Sequence, residues 1–183
     1  MISNSTKPKP VSFDSTTAMK ELLKQYAHYN IWANQKLVEL ILSLTEEQQQ
    51  REIASSFSSL HKTLLHMWDT ETAWWQRMKL HERILIPSEN FNGSARDVVN
   101  GLMNQSRQWE EWISSASDLS LSHVFQYQNS KKEQFKQPVY QMILHVFNHE
   151  TYHRGQLVTI LRQLGVEKIP QTDFIVWSRT RRP

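Results

Sequence analysis

Residues 145–156 read HVFNHETYHRGQ and set three histidines, His145, His149 and His153, four residues apart. On a helix, positions four apart project from the same side, with about 5–6 Å between their Cβ atoms. The flanking residues supply that helix. Met142, Val146, His149, His153, Leu157, Ile160 and Leu164 step by three and four, the pattern of a seam facing a bundle core. Pro138 suits the first turn of this helix and Gly165 its C′ position. His149 and His153 lie within the seam, whereas His145 sits at its edge. A buried imidazole needs a polar partner. Two of them one turn apart can converge on one divalent ion, and the stretch therefore predicts a metal site. Glu150 points off the seam and is predicted to be solvated.

The same spacing recurs upstream. From residue 15 to about 44, Leu23, Tyr26, Asn30, Ala33, Leu37 and Ile41 mark a first helix, with Ser15 or Thr16 as its cap. Thr45, Glu46 and Glu47 begin a short connecting turn. A second helix spans about 58–79, with Ser58 or Ser59 as N-cap and no glycine or proline inside it. Residues 84–94, ILIPSENFNGS, form a loop, and a third helix covers about 95–116. Residues 123–137 alternate around Val124, Phe125, Tyr127 and Phe135, which predicts a short hairpin or an irregular crossover before the last long helix. After Pro170, Phe174, Ile175, Val176 and Trp177 form an apolar patch predicted to pack. Four long amphipathic helices make an all-α, up-down four-helix bundle the expected fold. The expected organisation is a polar tail over residues 1–14 and a single domain over 15–183.

Composition narrows the chemistry. With 183 residues the chain can bury a core without staples. It has no cysteine, so disulfides, thiolate metal sites and a cysteine nucleophile are excluded. A metal must be held by His, Asp, Glu or water, and any thiol in a reaction must come from a small molecule. Only four glycines argue against a phosphate-cradling loop. The start, MISNSTKPKP, lacks a signal-peptide shape, and no apolar run is long enough to span a bilayer. A cytoplasmic protein without membrane partners is the expectation. The net charge is +3, and Arg179, Arg181 and Arg182 make a short basic stretch. That is too little to predict nucleic-acid binding.

A two-histidine site needs a third protein ligand, and the second helix offers His61 and His66. Its apolar stripe is Leu60, Leu64, Met67, Trp68, Trp74, Trp75 and Met78. His61 borders that stripe, and His66 projects nearly opposite Leu64. Periodicity selects His61 unless the helix is buried on two sides, which Leu65 and Ala73 beside His66 would allow. Glu71 lies on the stripe and is the candidate for a proton carrier or for a partner to a ligand.

Taken together, these segments resemble the DinB family, the DinB/YfiT-like metalloenzymes. YNIWANQKLVELILSL at 29–44 is similar to that family's first-helix signature, and SSLHKTLLHMWDTETAWWQRM at 58–78 to its second-helix block. HVFNHETYHRGQ, ending His-Arg-Gly-Gln, resembles its most recognisable motif, and PQTDF at 170–174 its C-terminal block. The resemblance implies a four-helix bundle, often a homodimer, holding a zinc- or nickel-type ion through His66, His149 and His153. It favours His66 over His61, and leaves His61 and His145 as pocket residues. It implies water in the open metal positions and a hydrolase or a thiol-dependent transferase acting on a small molecule, with a non-catalytic stress-response binder as the alternative. Within the last motif, Arg154 is expected in a salt bridge, Gly155 at a helix contact, and Gln156 in a hydrogen bond that orients a ligand. Asn30 and Trp32 are expected to line the pocket.

Overall fold

The computed structural model describes residues 15–129 and 131–180, with side chains from Ala18 onward. The expected tail at 1–14, the Ser15 or Thr16 cap and the basic pair Arg181 and Arg182 lie outside that description. Four long helices form the body: α1 (Ser15–Leu42), α3 (Leu60–Met78), α4 (Ala95–Ser115) and α6 (Val139–Gln163). Short helices α2 (Glu46–Gln50), α5 (Asp118–Ser122) and α7 (Phe174–Arg179) fill the connections. None of the described helices is long and apolar enough to cross a membrane.

Local chemistry sets the helix ends. The Ser59 side chain accepts from the Lys62 amide to start α3, and Ser94 with Asp97 makes a capping box for α4. Thr45 and Gln48 do the same for α2, so the predicted turn there is a helix of five residues. Pro138 is the N-cap of α6 rather than a residue of its first turn, because it also closes strand β2. Gly165, at φ +83°, is the C′ residue as expected. The segment before α6 is a true hairpin, β1 (Val124–Gln128) against β2 (Gln134–Pro138), antiparallel with Tyr127 opposite Phe135.

The helices form a ring in the order α1, α4, α3, α6. One end of the core joins Leu37 and Ile41 of α1, Leu60 and Leu64 of α3, Val98 and Leu102 of α4, and Leu157 and Ile160 of α6. The other end joins Leu23 and Ala27 with Trp109, Ile113, Met142 and Val146. The first end therefore holds the late part of α1 and α6 and the early part of α3 and α4. The directions read up, down, down, up. The strict alternation of an up-down bundle is broken between α3 and α4, which run the same way. The connection between them retraces α3: Gln76 pairs with the Leu85 backbone, Asp69 accepts from the Ser88 amide, Trp68 packs on Phe91, and His61 reaches the Gly93 carbonyl. It delivers the chain back to the end where α3 began.

Helix α6 buries more than the one seam. Met142, Val146, His153, Leu157 and Ile160 are covered, and so are Ile143, Phe147, Glu150, Arg154 and Leu161. The second row exists because α6 packs on α3 at one side and α1 at the other. At the tail, α7 seats Trp177 against Tyr29 of α1, and the Tyr29 hydroxyl donates to the Thr172 carbonyl at 2.8 Å.

Candidate metal centre

Three imidazoles meet between α3 and α6. The His149 Nε2 lies 3.0 Å from the His153 Nε2 and 3.3 Å from the His66 Nε2. One potential ligand atom from each histidine falls within 4.8 Å of the other two. His149 and His153 come from one face of α6, one turn apart, as their spacing requires. His66 arrives from α3, which is buried on two sides, against α4 through Leu64 and Met67 and against α6 through the His66 side. That second burial defeats the single-stripe reading of the helix. His61 is half-buried at the far edge and contacts the Gly93 carbonyl at 3.3 Å.

The geometry suits a cation. Three nitrogens about 2.0–2.1 Å from a tetrahedral ion stand about 3.3–3.4 Å apart. The two measured separations are 3.0 and 3.3 Å. The His149 Nε2 faces both neighbours, yet one ring nitrogen carries either a single hydrogen or a single lone pair. A cation serves three inward lone pairs better than any arrangement of protons. Protonation is also disfavoured. Burial pushes His66 down to about 4, with His153 adding to it. Burial takes His149 down to about 3, helped by His153, His66 and His145. His153 is lowered too, again chiefly by burial, with the Gln156 hydrogen bond opposing. All three are neutral near pH 7, the state a metal requires.

Two neighbours hold the rings. The Gln156 Oε1 sits 2.8 Å from the His153 Nδ1, so an Nδ1 proton directed there leaves the Nε2 lone pair facing the centre. The Gln156 amide nitrogen donates to the Ser56 hydroxyl. Phe57, on the loop before α3, stacks on the His66 ring at 3.9 Å and 18°. Phe57 precedes the helix, so no periodicity marks it in the sequence. His145 stays outside the cluster, its ring 6.0 Å from that of His149 and 5.1 Å from that of Trp74.

Behind the histidines lies a sealed polar network. Arg154 donates to the Asn30 Oδ1 at 2.6 Å, the Asn34 Oδ1 at 2.9 Å and the Thr151 hydroxyl at 2.7 Å. The two asparagines then donate onward, Asn30 to Glu71 at 3.2 Å and Asn34 to Glu150 at 3.1 Å. Ser106 of α4 also donates to Glu71. Burial drives Glu150 up to about 7 and Glu71 well above the usual carboxylate range.

Several expectations change here. Glu150 is fully buried rather than solvated, because α6 is covered on two sides. Arg154 reaches the carboxyls through asparagine amides, with no direct ion pair among the described residues. Gly155 faces open space, with nothing within 4 Å of a Cβ placed there, so it mediates no helix contact. Asn30 belongs to the network, and Trp32 packs beside Tyr29, so neither faces the cleft. Glu71 is held by Ser106 and Asn30 behind the centre and does not line the cleft. Asn34 joins the network without being among the expected site residues; its signal in the sequence is an amide four residues after Asn30 on a core-facing helix.

A cleft of about 850 Å³ opens from His66 along α3, walled by the 80–89 segment and by β1 up to Asn129. Asp69 lines it one turn from His66, with its carboxyl pKa raised chiefly by burial.

Comparison with known proteins places this arrangement. A family model described as DinB family matches residues 16–181. Protein DinB of Bacillus subtilis (strain 168) is 28% identical over 174 residues, spanning 85% of this chain and 93% of that protein. Among solved structures, YfiT from Bacillus subtilis, described as a probable metal-dependent hydrolase with an unusual four-helix bundle topology, aligns with a TM-score of 0.55 at 15% identity, covering 91% of this chain and 97% of that one. The DinB-like YjoA of Bacillus subtilis gives 0.61 at 11% identity over 81% and 98% of the two chains. A DinB-like protein from Bacillus cereus ATCC 10987 gives 0.59 at 19% identity over 76% and 89%. With the bundle, the histidine cluster and a family match across nearly all of the described chain in agreement, this protein belongs to the DinB family.

Proposed function

We propose that this protein is a metal-dependent enzyme of the hydrolase kind, holding one divalent ion through His66, His149 and His153 and acting on a small molecule in the adjoining cleft. The observation that carries the proposal is the convergence of three neutral imidazoles from two helices at separations that fit one ion. The description of YfiT as a probable metal-dependent hydrolase supports the same reading. A bound divalent ion supplies a Lewis acid and lowers the pKa of water. The chain's own residues do the rest. Gln156 keeps the His153 ring turned inward, and Phe57 fixes the plane of His66. Asp69, with its raised pKa and its place on the cleft wall, is the candidate to take up a proton. Zinc or nickel is the ion proposed, since imidazole suits both. A homodimer in the cytoplasm, without nucleic-acid partners, completes the proposal.

Elemental analysis of protein purified without chelator tests it. One ion per chain is expected in the wild type and in His61→Ala, with most of it lost in His66→Ala, His149→Ala and His153→Ala. Equal metal in the wild type and His153→Ala refutes the site. Turnover of an ester and amide panel, with and without added metal, then separates an enzyme from a binder. Sedimentation reports the oligomeric state.

A further inference from the structure

The far end of the cleft contains a cation with no ion-pair partner among the described residues. Arg77 lies on the face of α3 that carries His66, Thr70 and Ala73, at steps of four, three and four, and it lines the cleft with them. Its guanidinium stacks 4.8 Å from the Trp74 ring centroid. Its Nε is shut off from solvent with no acceptor, and among the described residues no carboxylate pairs with it. Burial lowers its pKa, opposed only by the nearby Tyr127. A buried guanidinium nitrogen without an acceptor is unfavourable, and the rest of the group faces the cleft where an acceptor could meet it.

The rim shows a second irregularity. Helix α3 ends in a Schellman-type turn, in which the His81 amide bonds the Gln76 carbonyl and the Leu80 amide bonds the Arg77 carbonyl. The residue that must adopt positive φ there is Leu80, at +56°, where glycine is usual. Its side chain is 68% exposed and lines the cleft. The strained turn holds that apolar side chain at the cleft rim. Gln76 fixes the opposite wall with two bonds to the Leu85 backbone, so the cleft is built in advance.

We infer that the cleft takes a small molecule bearing a carboxylate on an apolar body, with Arg77 receiving the carboxylate and Trp74 and Leu80 flanking the body. This deepens the reading of the histidine cluster as the reactive end and rests on it. Eleven residues separate His66 from Arg77, a rise of about 16 Å, which the lean of the arginine toward the helix N-terminus shortens. The substrate so defined is on the order of 10 Å from carboxylate to reacting group. Asp69, Glu82 and Glu89 also line the cleft. Arg77 is the one arginine or lysine among the described lining residues, and a single guanidinium matches a singly charged carboxylate.

Calorimetric titration of 4-phenylbutyrate and the uncharged 4-phenylbutanol into the wild type, Arg77→Gln and Arg77→Lys tests this, with each protein metal-loaded and chelator-stripped. Arg77→Gln is expected to weaken the acid about tenfold to a hundredfold, the range for a charged hydrogen bond, and the alcohol less than twofold. Arg77→Lys is expected to restore part of the preference, which also shows that the site still folds. Equal loss of both probes, no loss, or no preference for the acid in the wild type overturns the inference. Acid binding that vanishes on stripping but ignores Arg77→Gln also overturns it, since the anion then sits on the ion, and it leaves the metal reading intact. An Arg77-dependent preference in a protein that holds no metal supports the anion site and removes the metal reading instead.

Discussion

Replacing Arg154 by methionine should unfold this bundle more readily than any change at its surface. The guanidinium is 2% exposed and makes three hydrogen bonds, to Asn30, Asn34 and Thr151. It is the only fully buried lysine or arginine among the described residues, and two fully buried carboxyls, Glu71 and Glu150, depend on its charge. Methionine keeps most of the volume but leaves two amide oxygens without donors and two carboxyls without a countercharge. Removing one partner of a buried charged network costs about 3–5 kcal/mol. Glu71 already favours its neutral form and Glu150 is partly neutral at about pH 7.5, which places the expected loss near the low end, about 3 kcal/mol. For a chain of this size that lowers Tm by about 6–12 °C. Urea unfolding followed by circular dichroism, on chelator-stripped protein at about pH 7.5, measures it. Glu150→Gln in the Arg154→Met background should recover part of the loss, because it removes one of the stranded acids. A loss below about 1 kcal/mol, or one indifferent to Glu150→Gln, would refute the reasoning.

Stability should also respond to pH in two opposite ways in the metal-free protein. The folded pKa values of His66 and His149 lie below the ordinary 6.5, at about 4 and about 3, so the unfolded chain takes up protons first and stability falls as pH drops below about 6.5. Comparison of the wild type with His149→Ala between about pH 7 and 4 should show the wild type losing its relative stability on acidification. Glu150 is raised from 4.5 to about 7, so its contribution is full below about 4.5 and is lost as pH rises through 7. Glu150→Gln should therefore gain on the wild type between about pH 5 and 8, and a flat difference would contradict that burial. Two glycines should respond in opposite senses to alanine. A Cβ at Gly101 meets Trp68 ring carbons that must move aside, with an expected cost of about 1–3 kcal/mol. Gly155→Ala enters open space on an exposed helix face and should stabilise by about 0.5–1 kcal/mol. Thermal melts of both variants check the pair.

The sequence by itself determined the helices and two of the three clustered imidazoles. Helical spacing is a local property, so the four long helices and the pairing of His149 with His153 followed from steps of three and four. Caps such as Ser59 and the glycine at 165 were likewise local. Only the tertiary structure decided what depends on a second neighbour. His66 instead of His61 required α3 to be buried on two sides. Glu150 and Arg154 entered the core because α6 is covered by both α1 and α3. The parallel course of α3 and α4 depended on the intervening segment retracing α3 through Gln76, Asp69 and His61. A helical wheel divides a helix into one dry face and one wet one, and in a ring of four helices each member touches two others. Within HVFNHETYHRGQ, spacing supplied His149 and His153 to the cluster, and packing brought the third imidazole to them.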